Sequence, residues 1–342
     1  MLYFNIIYYM TKITIIIPVY NSEKTITKTL QSIIDQSFTN FEILIINDGS
    51  TDSTLNVISN IKDPRIRIIS KSNSGVINAY IFGIKNSSSD YIMFCDSDDF
   101  YKDDFIENAY TRISTEKVDV VSFKTNYVSL SGKVLKTSKY GINSGRYSKE
   151  EIQKLLLSNI TFNSFKSGLT HIIPVFRWNK IYTKELLIKV INDLNHSLKQ
   201  LEDNVFTTSV LLNASSIFID DRIEYDYVQQ ETSVSTGYKK NLFQEYEKSV
   251  LYLKRLFNEY NYFIDQKQFS KLIISSSRVI LRRIAKNTNF KLFKSEFLSI
   301  VYKDYFRQIK FQDIDDIINI IFVILLKAKF SFLTYIILRN IF

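Results

Sequence analysis

The chain has 342 residues, of which 45% are hydrophobic and 23% are charged, and this composition is typical of a folded globular protein. Its single cysteine, Cys95, excludes an internal disulfide. The net charge of +9 is not gathered into a compact Lys/Arg run, so we expect no nucleic-acid partner.

The N-terminal residues 1–12, MLYFNIIYYMTK, do not resemble a signal peptide, since they lack a basic start and a small-residue cleavage site. Met10 lies just before the first strand-like run. We therefore hypothesise that translation starts at Met10, which the intact mass of the natively expressed protein would test.

The first hundred residues alternate between strand and helix patterns. Short apolar runs at 13–17, 42–46, 65–69 and 91–95 predict buried strands. Apolar residues at helical spacing follow each of the first three runs. This alternation predicts right-handed βαβ units and a parallel sheet.

The middle of the chain is mixed, and the last third is helical and basic. Residues 118–123 and 216–221 predict strands, whereas 148–158 and 201–213 predict helices. We place a domain boundary near 236–242, which gives a mixed α/β domain over 11–238 and a helical region over 239–342.

The last apolar segment, residues 317–338, is interrupted by Lys327 and Lys329. The run before Lys327 is shorter than the roughly 20 residues that span a bilayer, and lysines deep in a membrane are costly. One or two helices lying in the membrane interface fit better. The alternatives are a buried helical hairpin and a dimer interface.

Four polar motifs fall where the predicted strands end: PVYN (18–21), NDGS (47–50), SNSG (72–75) and DSDD (96–99). Ligands of open parallel sheets bind beyond this edge. Asp96 and Asp98 point the same way in extended backbone and could form an oxygen site for Mg²⁺ or Mn²⁺ with substrate phosphates. The alternative is an acidic turn that is solvated or caps a helix.

Asp48 ends the second predicted strand, where a carboxylate can accept hydrogen bonds from a base or ribose. The alternative is an Asp that caps the helix beginning near Asp52. A GxGxxG motif after the first strand and a Walker A motif are both missing from the sequence, so a dinucleotide cradle is not supported.

The segments TIIIPVYN, SIIDQSFTNFEILIINDGSTDST, SNSG and YIMFCDSDD together resemble the nucleotide-binding half of family 2 glycosyltransferases. Weaker matches continue in FRWNKIY (176–182), LEDNVF (201–206) and YDYVQQETSVS (225–235). The resemblance implies an α/β GT-A (Rossmann-like) fold, with a mostly parallel sheet, helices on both faces and a C-terminal helical extension.

The resemblance also implies roles for the sheet-edge residues. Nucleotide-sugar binding falls to Pro18, Tyr20, Asp48, Asp96 and Ser97. Tyr20 would pack near the base, and Asp48 would contact it. The expected cofactor is Mn²⁺ or Mg²⁺, held mainly by Asp98, with Asp96 beside it and Asp99 as the substitute ligand.

On the acceptor side, the resemblance makes Asp203 the catalytic base, with Glu202 and Trp178 nearby. Taken alone, Glu202 and Asp203 would be helix N-terminal acids favoured by the macrodipole, and a single Trp is as often a core residue. The two histidines, His171 and His196, lack paired metal ligands, so we assign them no site.

Two positions depart from the family pattern. Tyr80 and Gln230 stand where members often carry Arg, so the positive charge would come from Lys71, Lys180 or the metal. The expected function is metal-dependent inverting transfer of a sugar from a nucleotide-diphosphate donor, with a UDP-sugar as the expected donor. The expected acceptor is a glycan or a lipid-linked molecule at the cytoplasmic membrane surface, in cell-surface polysaccharide synthesis. The alternative is a membrane-associated sugar-nucleotide-binding protein without transfer activity.

Overall fold

The computed structural model describes residues 11–157, 175–194, 198, 200–229, 241–262, 265–314 and 317–340. Chain contacts divide it into two compact units: residues up to 152 with 176–196 and 213–229, and residues 153–175 with 197–212 and 230 onward. Met10, His171, His196, Gln230 and the predicted boundary at 238/239 lie outside the described residues. The domain limits therefore remain predictions.

In the part of the chain that the structure describes, ten strands form one sheet in the first unit, in the order β3-β2-β1-β4-β9-β6-β10-β5, with β7 on β6 and β8 on β10. The strands are β1 (Ile13–Val19), β2 (Phe41–Asn47), β3 (Ile66–Ser70), β4 (Tyr91–Phe94), β5 (Phe100–Tyr101), β6 (Val120–Val128), β7 (Val134–Thr137), β8 (Gly145–Ser148), β9 (Lys180–Thr183) and β10 (Ser216–Val228). The strands predicted in the first hundred residues are confirmed.

The sheet is parallel from β3 to β4 and mixed beyond it. Strands β1, β2, β3 and β4 pair in parallel, as do β6 and β10. Strand β9 is inserted antiparallel between β4 and β6. The parallel half follows from the βαβ repeats, whereas β9 comes from the later segment that contains the Trp-Asn-Lys motif.

Helices cover both faces of the sheet. They are α1 (Ile26–Ile34), α2 (Thr54–Ser59), α3 (Val76–Asn86), α4 (Phe105–Glu116) and α6 (Lys184–Val190). Helix α5 (Lys149–Glu151) follows β8 and continues as the π-helix Ile152–Leu157. Alternate residues of β1, such as Ile15 and Ile17, pack with Leu30 of α1 and Ile106 of α4. On the other face, α3 packs closely, since a Cβ on Gly83 would lie 2.5 Å from Cγ2 of Ile16.

The strand register brings the polar motifs to one edge. Val19 pairs with Asn47, and Asn47 pairs with Ser70, so β1, β2 and β3 end side by side. Strand β4 runs parallel to β1 and ends at Phe94, just before the acidic motif. The loops that follow all four strands therefore leave the same edge of the sheet.

The described part of the second unit is helical, and the helices predicted after residue 239 are confirmed. Its helices are α7 (Glu202–Asn213), α8 (Leu242–Glu259), α9 (Gln266–Asn287), α10 (Phe290–Val301), α11 (Asp304–Arg307), α12 (Ile317–Lys327) and α13 (Ser331–Asn340). Its apolar core includes Leu281, Phe293, Phe297, Val323 and Leu326. Among the described residues, each helix is too short or too polar to cross a membrane.

Candidate active site

The PVYN and NDGS loops are tied together by Asn21. This residue has a left-handed backbone (φ 50°), and its amide donates to Ser50 Oγ at 3.1 Å. Its side-chain Oδ1 accepts from the amide of Thr51 at 2.8 Å. Pro18 pairs with Ile46 inside the sheet, and Tyr20 next to Asn21 is 52% exposed. A rigid loop pair therefore presents one open aromatic ring at the sheet edge.

Asp48 connects the second loop to the third. Its buried carboxylate accepts from the amides of Ser74 at 3.0 Å and Gly75 at 2.8 Å, and it forms an ion pair with Lys71. Gly75 has φ 91°, a conformation that favours glycine, just before α3. Helix α2 instead begins at Thr54, whose amide donates to Asp52. The alternative of Asp48 as a cap for that helix is therefore not what the structure shows.

The acids of the DSDD motif differ in their surroundings. Asp96 Oδ1 accepts from the Tyr80 hydroxyl at 2.5 Å, and Ser97 Oγ lies 2.8 Å from Ser22 Oγ. Asp99 is fully buried, and its two oxygens accept from the Tyr225 hydroxyl at 2.9 Å and the Val228 amide at 2.8 Å. Asp99 therefore fixes the acidic loop to β10, whereas Asp96 and Asp98 remain half-buried.

Burial makes the charged forms of Asp98 and Asp99 less favourable. It raises the pKa of the Asp98 carboxyl. It also raises the pKa of Asp99 well above the ordinary value, and the neighbouring charges of Asp96 and Asp98 add to the effect. Clustered carboxylates of this kind are unfavourable alone and are stabilised by a cation.

A divalent cation fits part of this motif. In the described ranges, no three His, Cys, Asp or Glu side chains form a ready-made metal cage. Mg²⁺ is often held by only one or two carboxylates together with substrate phosphates. Asp96 and Asp98 suit such an arrangement. Asp99 is fully buried and its two oxygens accept from β10, so its part as the substitute ligand stays a prediction.

Arg177 is the residue that sequence reasoning missed. Its guanidinium carbon lies 4.4 Å from the centre of the Tyr80 ring, whose hydroxyl binds Asp96. The Lys71 ammonium pairs with Asp48, and Lys180 donates to Phe176 O and Asn179 Oδ1. Beside Tyr80, the positive charge thus comes from the segment that precedes β9. The only signal in the sequence was an Arg directly before Trp178.

Trp178 lies in the core of the sheet unit. Only 3% of its surface is exposed, and its ring stacks on Tyr225 at 4.2 Å and on Phe176 at 4.6 Å between ring centres. The buried ring cannot serve as a platform for a sugar. We therefore revise the expectation that Trp178 contacts the acceptor: it supports Tyr225, which in turn binds Asp99.

Glu202 and Asp203 occupy the first turn of α7, in the helical unit. The segment before them is fixed by the buried Ser249 of α8, whose hydroxyl donates to the carbonyl of Gln200 at 2.5 Å. Burial raises the pKa of Tyr246 to about 12; the charge of Arg283 opposes this rise, and the charge of Glu202 adds to it. The C-terminal helices therefore position the first turn of α7.

We expect Asp99→Ala to lower the free energy of unfolding by roughly 2–4 kcal/mol, because the Tyr225 hydroxyl and the Val228 amide lose their buried acceptor. Urea unfolding would measure this change. Asp103→Ala, at an exposed acid in the same segment, is the control and should stay within about 0.5 kcal/mol of the wild type. Equal stability of the two variants would contradict the anchoring role of Asp99.

Residues 14–173 match the family model described as Glycosyl transferase family 2. The glycosyltransferase GlyA of Streptococcus pneumoniae is 29% identical over 226 residues, which are 66% of this chain and 31% of GlyA. The poly(ribitol-phosphate) beta-N-acetylglucosaminyltransferase TarS of Staphylococcus aureus is 28% identical over 65% of this chain and 36% of TarS. The cholesterol galactosyltransferase of Borreliella burgdorferi is 24% identical over 85% of this chain and 82% of its own length.

Solved structures show the same fold. A crystal structure of S. aureus TarS aligns with a TM-score of 0.62 at 19% identity, over 96% of this chain and 55% of that one. A shorter TarS in complex with UDP-GlcNAc aligns with a TM-score of 0.56 at 20% identity, over 96% of this chain and 90% of the TarS chain. The chain spans about a third of the length of GlyA and of the full TarS sequence. Residues 14–173, a little under half of the chain, therefore match glycosyl transferase family 2, and the chain has a GT-A-like fold.

Proposed function

We propose that the chain is a metal-dependent inverting glycosyltransferase that moves a sugar from a nucleotide-diphosphate donor to an acceptor hydroxyl. The observation that supports this most is the shared edge of the sheet. There Asp48 holds two loops together, and the acidic motif lies beside Tyr80 and Arg177. One carboxylate that can bind a nucleobase, others that can bind a metal ion, and a nearby cation together suit a nucleoside diphosphate.

For the donor, we assign the nucleotide-sugar contacts to Pro18, Tyr20, Asp48, Asp96 and Ser97. The exposed Tyr20 ring offers a face for the base. A carboxylate has about four acceptor sites, so Asp48 can bind a base N–H besides its present donors. The complex of TarS with UDP-GlcNAc supports a UDP-sugar as the donor.

For the cofactor, we assign Mn²⁺ or Mg²⁺ to Asp98 and Asp96. The bound ion would supply positive charge to the departing diphosphate. Tyr80 and Asp99 position these two ligands, the first by its hydrogen bond to Asp96 and the second by anchoring the loop to β10. Arg177 adds a further positive charge next to Tyr80.

For the acceptor, we assign Asp203 as the general base, with Glu202 beside it. Asp203 would take the proton from the acceptor hydroxyl, whose oxygen then forms the bond to the anomeric carbon while the nucleoside diphosphate leaves. A single displacement of this kind inverts the anomeric configuration. A glycan or a lipid-linked glycan in cell-surface polysaccharide synthesis is the acceptor class we propose.

We further propose that the protein works at the cytoplasmic face of the cell membrane and is attached through its C-terminal helices. Exposed apolar residues on α12 and α13, together with basic residues between the two helices, support a peripheral mode of attachment.

A screen of nucleotide sugars by thermal shift tests the donor assignment. We expect one UDP-sugar to raise the unfolding midpoint in the presence of Mn²⁺, since a ligand at 100 times its Kd stabilises by about 2.7 kcal/mol. Added acceptor should then lead to release of UDP. A shift without any transfer would favour the alternative, a sugar-nucleotide-binding protein. No shift with any donor would contradict both.

A further inference from the structure

A basic cleft lies between the end of α10 and the turn that joins α12 to α13. Its volume is about 270 Å³. The lining residues are Val301, Tyr302, Phe306, Arg307, Lys327 and Lys329. Three cationic side chains and two aromatic rings thus surround one small cleft, which is a composition suited to an anionic group.

The two lysines of the cleft are held in place by neutral partners, and Arg307 has an exposed acidic one. Lys329 Nζ donates to the Tyr302 hydroxyl at 3.1 Å and lies 4.6 Å from the centre of that ring. Lys327 Nζ donates to the carbonyl of Ile309 at 2.6 Å. Arg307 pairs at 3.6 Å with Asp304, whose side chain is 89% exposed. Within the described residues, the cleft therefore keeps most of its positive charge for a ligand.

The backbone at Lys329 is unusual for a lysine. Its amide donates to Leu326 O, and the amide of Phe330 donates to Leu325 O, which is a Schellman end to α12. Lys329 occupies the left-handed position (φ 58°) that glycine usually takes. Lys329, which lines the cleft, is therefore in a strained backbone conformation.

The two helices that meet at this cleft, α12 and α13, carry exposed apolar residues. Phe322, Val323, Leu326, Tyr335 and Leu338 face the helical core. The outward-facing apolar residues of α12, the turn and α13, each 39–59% exposed, are Ile321, Ile324, Phe330, Phe332, Leu333 and Ile336. Six exposed large apolar residues on one pair of consecutive helices and the turn between them favour a binding surface over ordinary solvent-facing protein.

The charge of the C-terminal region indicates which ligand binds the cleft and the apolar residues beside it. Residues 239–342 contain nineteen Lys and Arg and nine Asp and Glu, whereas the remainder of the chain is close to neutral. From residue 317 to the end there are three basic residues and no acidic ones. Apolar side chains beside a cationic cleft complement a surface that is apolar inside and phosphate-bearing outside, which is that of an anionic membrane.

We propose that the cleft formed by Tyr302, Arg307, Lys327 and Lys329 binds the phosphate of an anionic phospholipid, while the outward apolar residues of α12 and α13 enter the membrane interface. This deepens the membrane attachment proposed above, because it assigns the attachment to one headgroup site. Diffuse attraction between a basic protein and an anionic surface would not require such a site.

Cosedimentation of the full chain with vesicles tests the site. We expect binding to vesicles of equal parts phosphatidylglycerol and phosphatidylcholine, and binding at least about tenfold weaker to phosphatidylcholine alone. Lys327→Glu/Lys329→Glu should weaken binding to the anionic vesicles by at least about tenfold. Lys248→Glu/Lys254→Glu on α8 changes the charge equally and should weaken it by less than about threefold. Equal losses for the two pairs would overturn the headgroup site.

A second variant separates lipid binding from folding. Lys329→Gly should raise the thermal unfolding midpoint, since glycine adopts a positive φ without strain, and should weaken vesicle binding. Unchanged vesicle binding would overturn the proposal. The proposal would also be overturned if inorganic phosphate stabilised the wild type through Lys327 and Lys329 while the protein did not bind vesicles. The cleft would then be a site for free phosphate. If a soluble polyphosphodiester released the protein from the vesicles, the cleft would be assigned to an anionic acceptor and not to a lipid headgroup.

Two further measurements distinguish lipid binding from self-association and the lipid site from the proposed sugar transfer. If sedimentation velocity shows self-association that Phe330→Ser abolishes, and vesicles do not bind, the apolar surface is an interface between copies. Transfer to a water-soluble acceptor, measured without vesicles, should persist in Lys327→Glu/Lys329→Glu. Vesicle binding by a wild type that transfers no sugar would defeat the proposed function and leave the lipid site standing.

Discussion

Asp203→Asn is expected to lower the rate of sugar transfer by roughly 10²- to 10⁴-fold, which is the usual contribution of a general base. The amide keeps the shape of the side chain but cannot take the proton of the acceptor hydroxyl. Donor affinity should be unchanged, because the proposed donor contacts all come from other segments. Initial rates at saturating donor and acceptor, with calorimetric titration of the donor, would measure both effects.

Glu259→Gln is a suitable control for this variant, because it removes an exposed carboxylate from α8 in the same helical unit. It should transfer sugar at the wild-type rate. Ser249→Ala should lower the rate partly, since the hydroxyl that holds the segment before α7 is lost. Near-normal transfer by Asp203→Asn would remove Asp203 from the mechanism.

Asp98→Ala is expected to lower transfer by roughly 10³-fold, because a metal contributes several kcal/mol of charge stabilisation to the leaving diphosphate and each 1.36 kcal/mol is tenfold in rate. The variant should also lose the Mn²⁺-dependent part of donor binding. Its stability without ligand should be equal to or above that of the wild type, since burial already disfavours the Asp98 charge. Metal titrations by calorimetry and urea unfolding would test these two points.

Asp103→Asn is the matched control for Asp98→Ala, because Asp103 is an exposed acid five residues away. It should keep wild-type transfer and the wild-type response to Mn²⁺. An Asp98→Ala variant with full activity at low Mn²⁺ would show that the acidic motif does not hold the metal.

The sequence was sufficient to predict the parallel half of the sheet and the edge that carries the motifs. The β-branched runs at 13–17 and 42–46 are fully apolar, which is the pattern of a strand covered on both faces. The carboxyl ends of such strands meet at one edge by the handedness of βαβ units. The placement of Asp48 and Asp96 therefore followed from local pattern alone.

Contacts between distant segments could not be predicted. Tyr80 and Arg177 are almost one hundred residues apart, and only the insertion of β9 beside β4 places them together. Asp98 and Asp99 are adjacent in sequence, yet the Tyr225 hydroxyl and the Val228 amide of β10 select Asp99 as the anchor. Periodicity gives the face of an element but not its partner from another part of the chain.

The grouping of α7 with the C-terminal helices also depends on distant contacts. Leu201 packs on the core of the helical unit, and Ser249 binds the carbonyl of Gln200. The pattern of 201–213 predicted a helix but gave no sign of which segments would support it. The helix that carries the proposed base thus packs with segments that lie beyond residues 14–173, which match the family model.

The most direct test of the proposed function is an NMR assay of the purified chain with the UDP-sugar that gives the largest thermal shift, Mn²⁺ and a panel of glycan acceptors. We predict release of UDP together with a new glycoside whose anomeric configuration is opposite to that of the donor, both lost in Asp98→Ala and Asp203→Asn. A product with retained configuration, or the same product from both variants, would contradict the assignment.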